Sequence, residues 1–248
     1  MAQIRQRMDA NALHQARALY GEAIAGDETD PLLHENFAEF LEDSADLEGA
    51  AMQWQRVATL LPEHYLGFYH TGRLLAQSRK FTEARPWLTK ALFLRADLED
   101  GWVELGKLDH AETNYNLAIE DFEKARALLP QDYRIYFQQG RALAKLGRSG
   151  EAIAKYRQGI QLQPAYWQGR YWFGEELALS GQNQEAMEQF REVLRQNPQH
   201  ALSHLNLGVA LYKAGRREEA RQQFEETLRL DPKNRPAAEY LKHLEGPR

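Results

Sequence analysis

The chain has 248 residues, 43% hydrophobic and 27% charged, with a net charge of −5 and no cysteine. That composition is ordinary for a folded soluble protein, and it excludes disulfides, thiolate nucleophiles and cysteine-ligated zinc. The acidic balance argues against a general affinity for nucleic acid, which needs a basic surface, and no apolar run approaches the ~18 residues of a membrane span.

The charge is graded along the chain: residues 1–62 sum to −7, residues 63–130 to −2 and residues 131–248 to +4. The first 30 residues hold no apolar core flanked by basic residues, so no secretory signal is expected. The expected compartment is the cytoplasm, with the periplasm left open.

A period of 34 residues organises the predicted elements. The first is a helix over 11–26, the second half of a partial repeat occupying 1–30, because Ala16, Tyr20 and Ala23 fall at positions 20, 24 and 27 of the period. Six full copies follow, at 31–64, 65–98, 99–132, 133–166, 167–200 and 201–234, each predicting two helices. Position 20 is Ala50, Ala84, Ala118, Ala152, Ala186 and Ala220. Position 24 is Trp54, Leu88, Phe122, Tyr156, Phe190 and Phe224, and position 8 is Ala38 followed by Gly72, Gly106, Gly140, Gly174 and Gly208. Position 32 is proline in every copy except at Ala96. Small residues at positions 8 and 20 let two antiparallel helices approach closely. The large residue at 24 fills the gap to the next hairpin, and the proline ends the second helix. Residues 235–248 close the chain as one capping helix and a tail, so 1–248 reads as a single stack.

Three departures carry expectations of their own. Without a proline at Ala96, the second helix of 65–98 is expected to run on. Pro86 sits early in that helix, where a mild kink is tolerable. Asp109 occupies position 11, which is leucine in the other five copies (Leu41, Leu75, Leu143, Leu177, Leu211), so the third hairpin is expected to be irregular.

No nucleotide-binding, metalloprotease, nucleophile-elbow or calcium-loop motif is present. His200 and His204, four residues apart, could place two imidazoles on one helical face, but no third ligand lies at a useful spacing, so packing and surface roles are expected. Asp109, His110 and Glu112 are read as solvated side chains at a helix end rather than as an acid–base pair. No enzyme activity, metal or cofactor is expected.

The period and its alanine, glycine, aromatic and proline positions resemble the tetratricopeptide repeat (TPR) family over nearly the whole chain. The resemblance implies an all-α, right-handed superhelical TPR solenoid of antiparallel helix hairpins. It also implies that positions 2, 5, 9 and 12 of each first helix line an inner groove. With the adjacent positions 6 and 13, this stripe yields the candidate groove residues Tyr69, Arg73, Lys107, Arg134, Phe137, Arg141, Tyr171 and Trp172. Aromatic residues beside arginines suit a peptide-binding hot spot, and the four cations favour an acidic peptide with apolar anchors. The family's clamp for a C-terminal carboxylate is not matched by any three consecutive copies. Asn36 and Asn206 stand where some relatives carry an asparagine ladder, but the four copies between them do not. The expected function is a protein-interaction scaffold that holds an extended peptide or partner helix. The alternatives are a self-assembling protein, joined head to tail through its acidic and basic ends, or the repeat portion of a larger enzyme or assembly.

Overall fold

A computed structural model describes residues 10–245, and every regular element in them is a helix. The helix expected over 11–26 is α1 (Ala10–Gly26); the start of the partial repeat lies outside the described residues, as does the tail beyond residue 245. Paired helices follow: α2 (Pro31–Asp43) with α3 (Leu47–Leu60), α4 (Tyr65–Gln77) with α5 (Phe81–Leu94), and α6 (Glu99–Ala111) with α7 (Tyr115–Leu128). Next come α8 (Tyr133–Lys145) with α9 (Ser149–Leu162), α10 (Trp167–Leu179) with α11 (Asn183–Gln196), and α12 (Ala201–Lys213) with α13 (Arg217–Leu230), before the capping helix α14 (Arg235–Glu245). The helices form two compact units, one ending at Leu128 and the other beginning at Leu129. No helix among the described residues is long and apolar enough to cross a membrane.

Each hairpin turns in the same way. Position 15 adopts a left-handed conformation in every copy, at Ala45, Arg79 and Thr113 in the first unit and Gly147, Gly181 and Gly215 in the second. The amide at position 16 then donates to the carbonyl at position 11, as from Arg148 to Leu143 (3.0 Å) and Gln182 to Leu177 (2.8 Å). This is the Schellman ending, which satisfies carbonyls the helix leaves open. Only glycine meets it without a steric cost.

The six alanines at position 20 are all fully buried. Position 24 packs back onto position 8 of its own hairpin: a methyl group added at Gly140 would lie 2.5 Å from the Tyr156 ring, and one at Gly208 2.7 Å from that of Phe224. The large residue therefore closes its own hairpin, and it also reaches the next one, where Trp54 stacks on His70 (4.1 Å). Position 4 adds a second tie. Tyr136 and Arg170 donate to the carbonyls of Pro130 and Pro164, six residues earlier (2.9 Å each).

That tie explains the end of α5. The helix stops at Leu94 instead of running on, Arg95 is extended, and the Ala96 carbonyl accepts from the Trp102 indole at 2.9 Å. Packing of α6 against α5 sets the boundary, and proline at position 32 merely forbids the alternative. The helix also continues through Pro86 without a break.

The third hairpin is regular, contrary to the expectation from Asp109. Its helices have 13 and 14 residues, like those of the other five pairs. Asp109 is 1% exposed and receives both terminal nitrogens of Arg85, at 2.8 and 3.3 Å. Arg85 comes from the preceding hairpin and also binds Glu112. A buried carboxylate in this paired state does not distort the helix. Asp121 is buried nearby, 3.0 Å from Lys124. Burial pushes its carboxyl up to about 6, and Asp109 adds to the rise while Lys124 opposes it.

In the first unit, Tyr20 of α1 stacks on Phe37 (4.9 Å). In the second, α14 packs on the last hairpin, with Tyr240 stacked on Phe224 at 4.9 Å.

Candidate functional site

The eight candidate groove residues divide between the two units. In the first, Tyr69 is half-buried, Arg73 is bound to Glu42, and Lys107 is paired with Glu104 at 2.7 Å. Burial pushes the Glu42 carboxyl up, but His70, Arg73 and the Trp54 indole (2.8 Å) outweigh it and hold the group at about 2. Arg73 and Lys107 thus already have internal carboxylate partners. Lys107 borders a small cavity of about 230 Å³ with Gln77 and Phe81.

The second unit holds the larger cavity, about 540 Å³, lined by α8, α9, α10, α11 and α12. Of the eight candidates, Arg141 and Trp172 line it. The Arg141 guanidinium lies 4.7 Å from the centre of the Trp172 ring and donates to Gln138 (3.2 Å). Arg134 sits away from the lining, against the α8 N-cap residue Asp132 at 2.6 Å. Tyr171 is half-buried and donates to Glu175 (2.6 Å), and Asn206 approaches the same pair at 3.4 and 3.5 Å.

Phe137 is core: it is 1% exposed, and a methyl group at Gly169 would meet its ring at 2.3 Å. Phe137 therefore faces the first helix of the following hairpin, and the cavity is lined by positions 6, 9, 10, 12 and 13 of α10 (Trp172, Glu175, Glu176, Ala178, Leu179), which adds position 10 to the stripe and leaves out positions 2 and 5. How deeply the Phe137 ring sinks depends on the glycine at position 3 of the next hairpin, Gly169.

Glu176 was not among the candidates. It is 5% exposed, lines the cavity, and makes no hydrogen bond or ion pair with any described residue. Burial, with Glu176 beside it, pushes the Tyr156 phenol well up, and Tyr156 lines the same cavity. The side-chain oxygen of Asn183, another lining residue, is buried without a partner. A signal for Glu176 does exist in the sequence: position 10 is apolar in every other copy (Phe40, Leu74, Leu108, Ala142, Ala210). Lys145 and Lys213, both exposed and unpaired among the described residues, complete the charged lining.

The histidine pair does not converge on a point. His204 uses one ring nitrogen on Gln223 (2.8 Å) and the other on the Pro198 carbonyl (3.0 Å), while His200 binds Ser203 at 2.8 Å.

Comparison with known proteins agrees with the repeat geometry. Tetratricopeptide repeat models match residues 104–167 and 177–243, together more than half of the chain. The chain is 29% identical over 112 residues to a peroxisomal targeting signal receptor of Candida glabrata, a match covering 43% of this chain and 19% of that protein. It is 37% identical over 67 residues to the corresponding receptor of Eremothecium gossypii, covering 27% of this chain and 12% of that one. The chain thus spans less than one fifth of the length of these curated relatives. Among solved structures, YrrB, described as a TPR protein with an unusual peptide-binding site, superposes with a TM-score of 0.67 at 24% identity, covering 77% of this chain and 99% of that one. Pseudomonas aeruginosa pilF superposes at 0.75 with 14% identity, covering 88% and 98%. These likenesses support the fold, and proteins of this fold are generally non-enzymatic scaffolds for protein partners. With its 34-residue period, its buried position 20 alanines and both matched segments, the chain belongs to the tetratricopeptide repeat family.

Proposed function

We propose that the chain is an interaction scaffold that holds an extended peptide, or one face of a partner helix, in the cavity between α8, α10 and α12. The observation that carries this reading is a concave site of about 540 Å³ in which Trp172, Leu179 and Val209 supply apolar wall and Arg141, Lys145 and Lys213 supply positive charge. Apolar surface with a few convergent polar groups is the usual make-up of a ligand site, and an aromatic residue backed by arginine is the usual hot spot. Arg73, Lys107 and Arg134 have partners elsewhere, so the acidic character of the ligand rests on Arg141, Lys145 and Lys213. The resemblance to YrrB, whose description includes a peptide-binding site, supports the same reading.

A random peptide library selected on the full chain supplies the test. Selected peptides should lose about tenfold or more in affinity on Trp172→Ala and keep it on Arg134→Ala, with both variants melting cooperatively. Loss on Arg134→Ala but not on Trp172→Ala would place the binding surface at the start of α8.

A further inference from the structure

Two side chains lining this cavity have acceptor oxygens with no donor among the described residues. Glu176 is 5% exposed, lines the cavity and makes no hydrogen bond or ion pair with any described residue, and the buried Asn183 oxygen lines the same space. A carboxyl group with so little exposure is stabilised by a partner that donates hydrogen bonds to it. Elsewhere in the chain such groups are matched: Asp109 by Arg85, and Glu42 by Arg73, His70 and Trp54. The cations that share the cavity do not serve Glu176. Arg141 is stacked on Trp172 and bonded to Gln138, and neither Lys145 nor Lys213 forms an ion pair with either glutamate. Glu175 differs, because Tyr171 and Asn206 already occupy it.

On the reading that this cavity binds peptide, we propose that it takes a lysine or arginine side chain of the bound segment, with the cationic head against Glu176 and Asn183. An ammonium or guanidinium group carries several donors and no acceptor, which complements two unpartnered oxygens. Its aliphatic stem would lie along Ala178, Leu179 and Val209. Lys145 and Lys213 then meet acidic residues flanking that basic one, so the recognised segment has a basic centre between acidic neighbours. The requirement for a basic residue goes beyond the acidic character that the groove's cations suggest.

Short fluorescein-labelled peptide pools, degenerate except for one central residue, test this by anisotropy on the full chain. The centre is lysine, arginine, norleucine or glutamate, and the flanks are enriched in aspartate. Lysine or arginine pools should bind about tenfold or more tightly than the norleucine pool. Glu176→Gln should abolish that preference without lowering the melting temperature. Should Glu176→Gln not fold, Asn183→Ala, at the start of α11, carries the same expectation of a reduced preference. Equal binding of all pools, or a preference that survives both substitutions, overturns the inference and leaves the peptide groove standing. Binding of no pool overturns both.

Discussion

Asp121→Asn is the sharpest test of the buried charge network in the third hairpin. The Asp121 carboxyl is pushed up from 3.8 to about 6, chiefly by burial. A group that holds its proton more tightly in the fold than in the open chain stabilises the fold below its unfolded value. That contribution is lost as pH rises through the folded value. The shift of roughly two units corresponds to about 2–3 kcal/mol between pH 4 and pH 7. Asparagine keeps the shape and stays uncharged, so the variant should match the wild type near pH 4 and exceed it near pH 7. At a few degrees per kcal/mol, the melting difference between the two proteins should open by roughly 5–10 °C across that range. Comparing the two proteins removes the opposite dependence of groups such as Glu42, which lose their stabilisation as pH falls from 4.5 towards about 2. Thermal melts followed by circular dichroism at several pH values read this directly. A difference that stays constant from pH 4 to pH 7 would show that Asp121 is ionised throughout, and that Lys124 outweighs its burial.

Arg85→Met should destabilise by about 3–5 kcal/mol because it strands Asp109 in the core. Adding Asp109→Leu, the residue of the other five copies, should recover most of the loss in denaturant melts, and no recovery would mean that Arg85 acts through Glu112 alone. Gly67→Ala places a methyl group 2.5 Å from the Ala58 backbone nitrogen and should cost at least about 1–3 kcal/mol. Gly150→Ala, with open space around it, should be neutral or better, and equal effects of the two would contradict the close approach of α3 and α4. Thr113→Gly relieves a β-branched residue at φ 66° and should raise the denaturation midpoint, with a net gain of about 0.5–1 kcal/mol. A lowered midpoint would show that the left-handed ending carries no strain there.

The repeat family and its helix hairpins were legible in the sequence, because they depend on contacts at constant separation. Position 8 meets position 24 inside one hairpin, and in every copy but the second, where it is Phe68, position 4 reaches the carbonyl six residues earlier, so a local solution recurs and periodicity exposes it. The groove was legible only in part. Trp172 and Arg141 line the cavity, whereas Phe137 sank into the core because Gly169 leaves room for it, and position 10, read as a packing position, supplies Glu176 to the lining. The charges were the least legible. Arg73, Arg85 and Arg134 all read as basic residues on helices, and only the fold determines that Glu42, Asp109 and Asp132 meet them while Glu176 is left facing open space. Packing of a 34-residue unit is written in its own residues, whereas the state of a charge depends on which unit lies beside it, at a distance of a few ångströms that no spacing along the chain specifies.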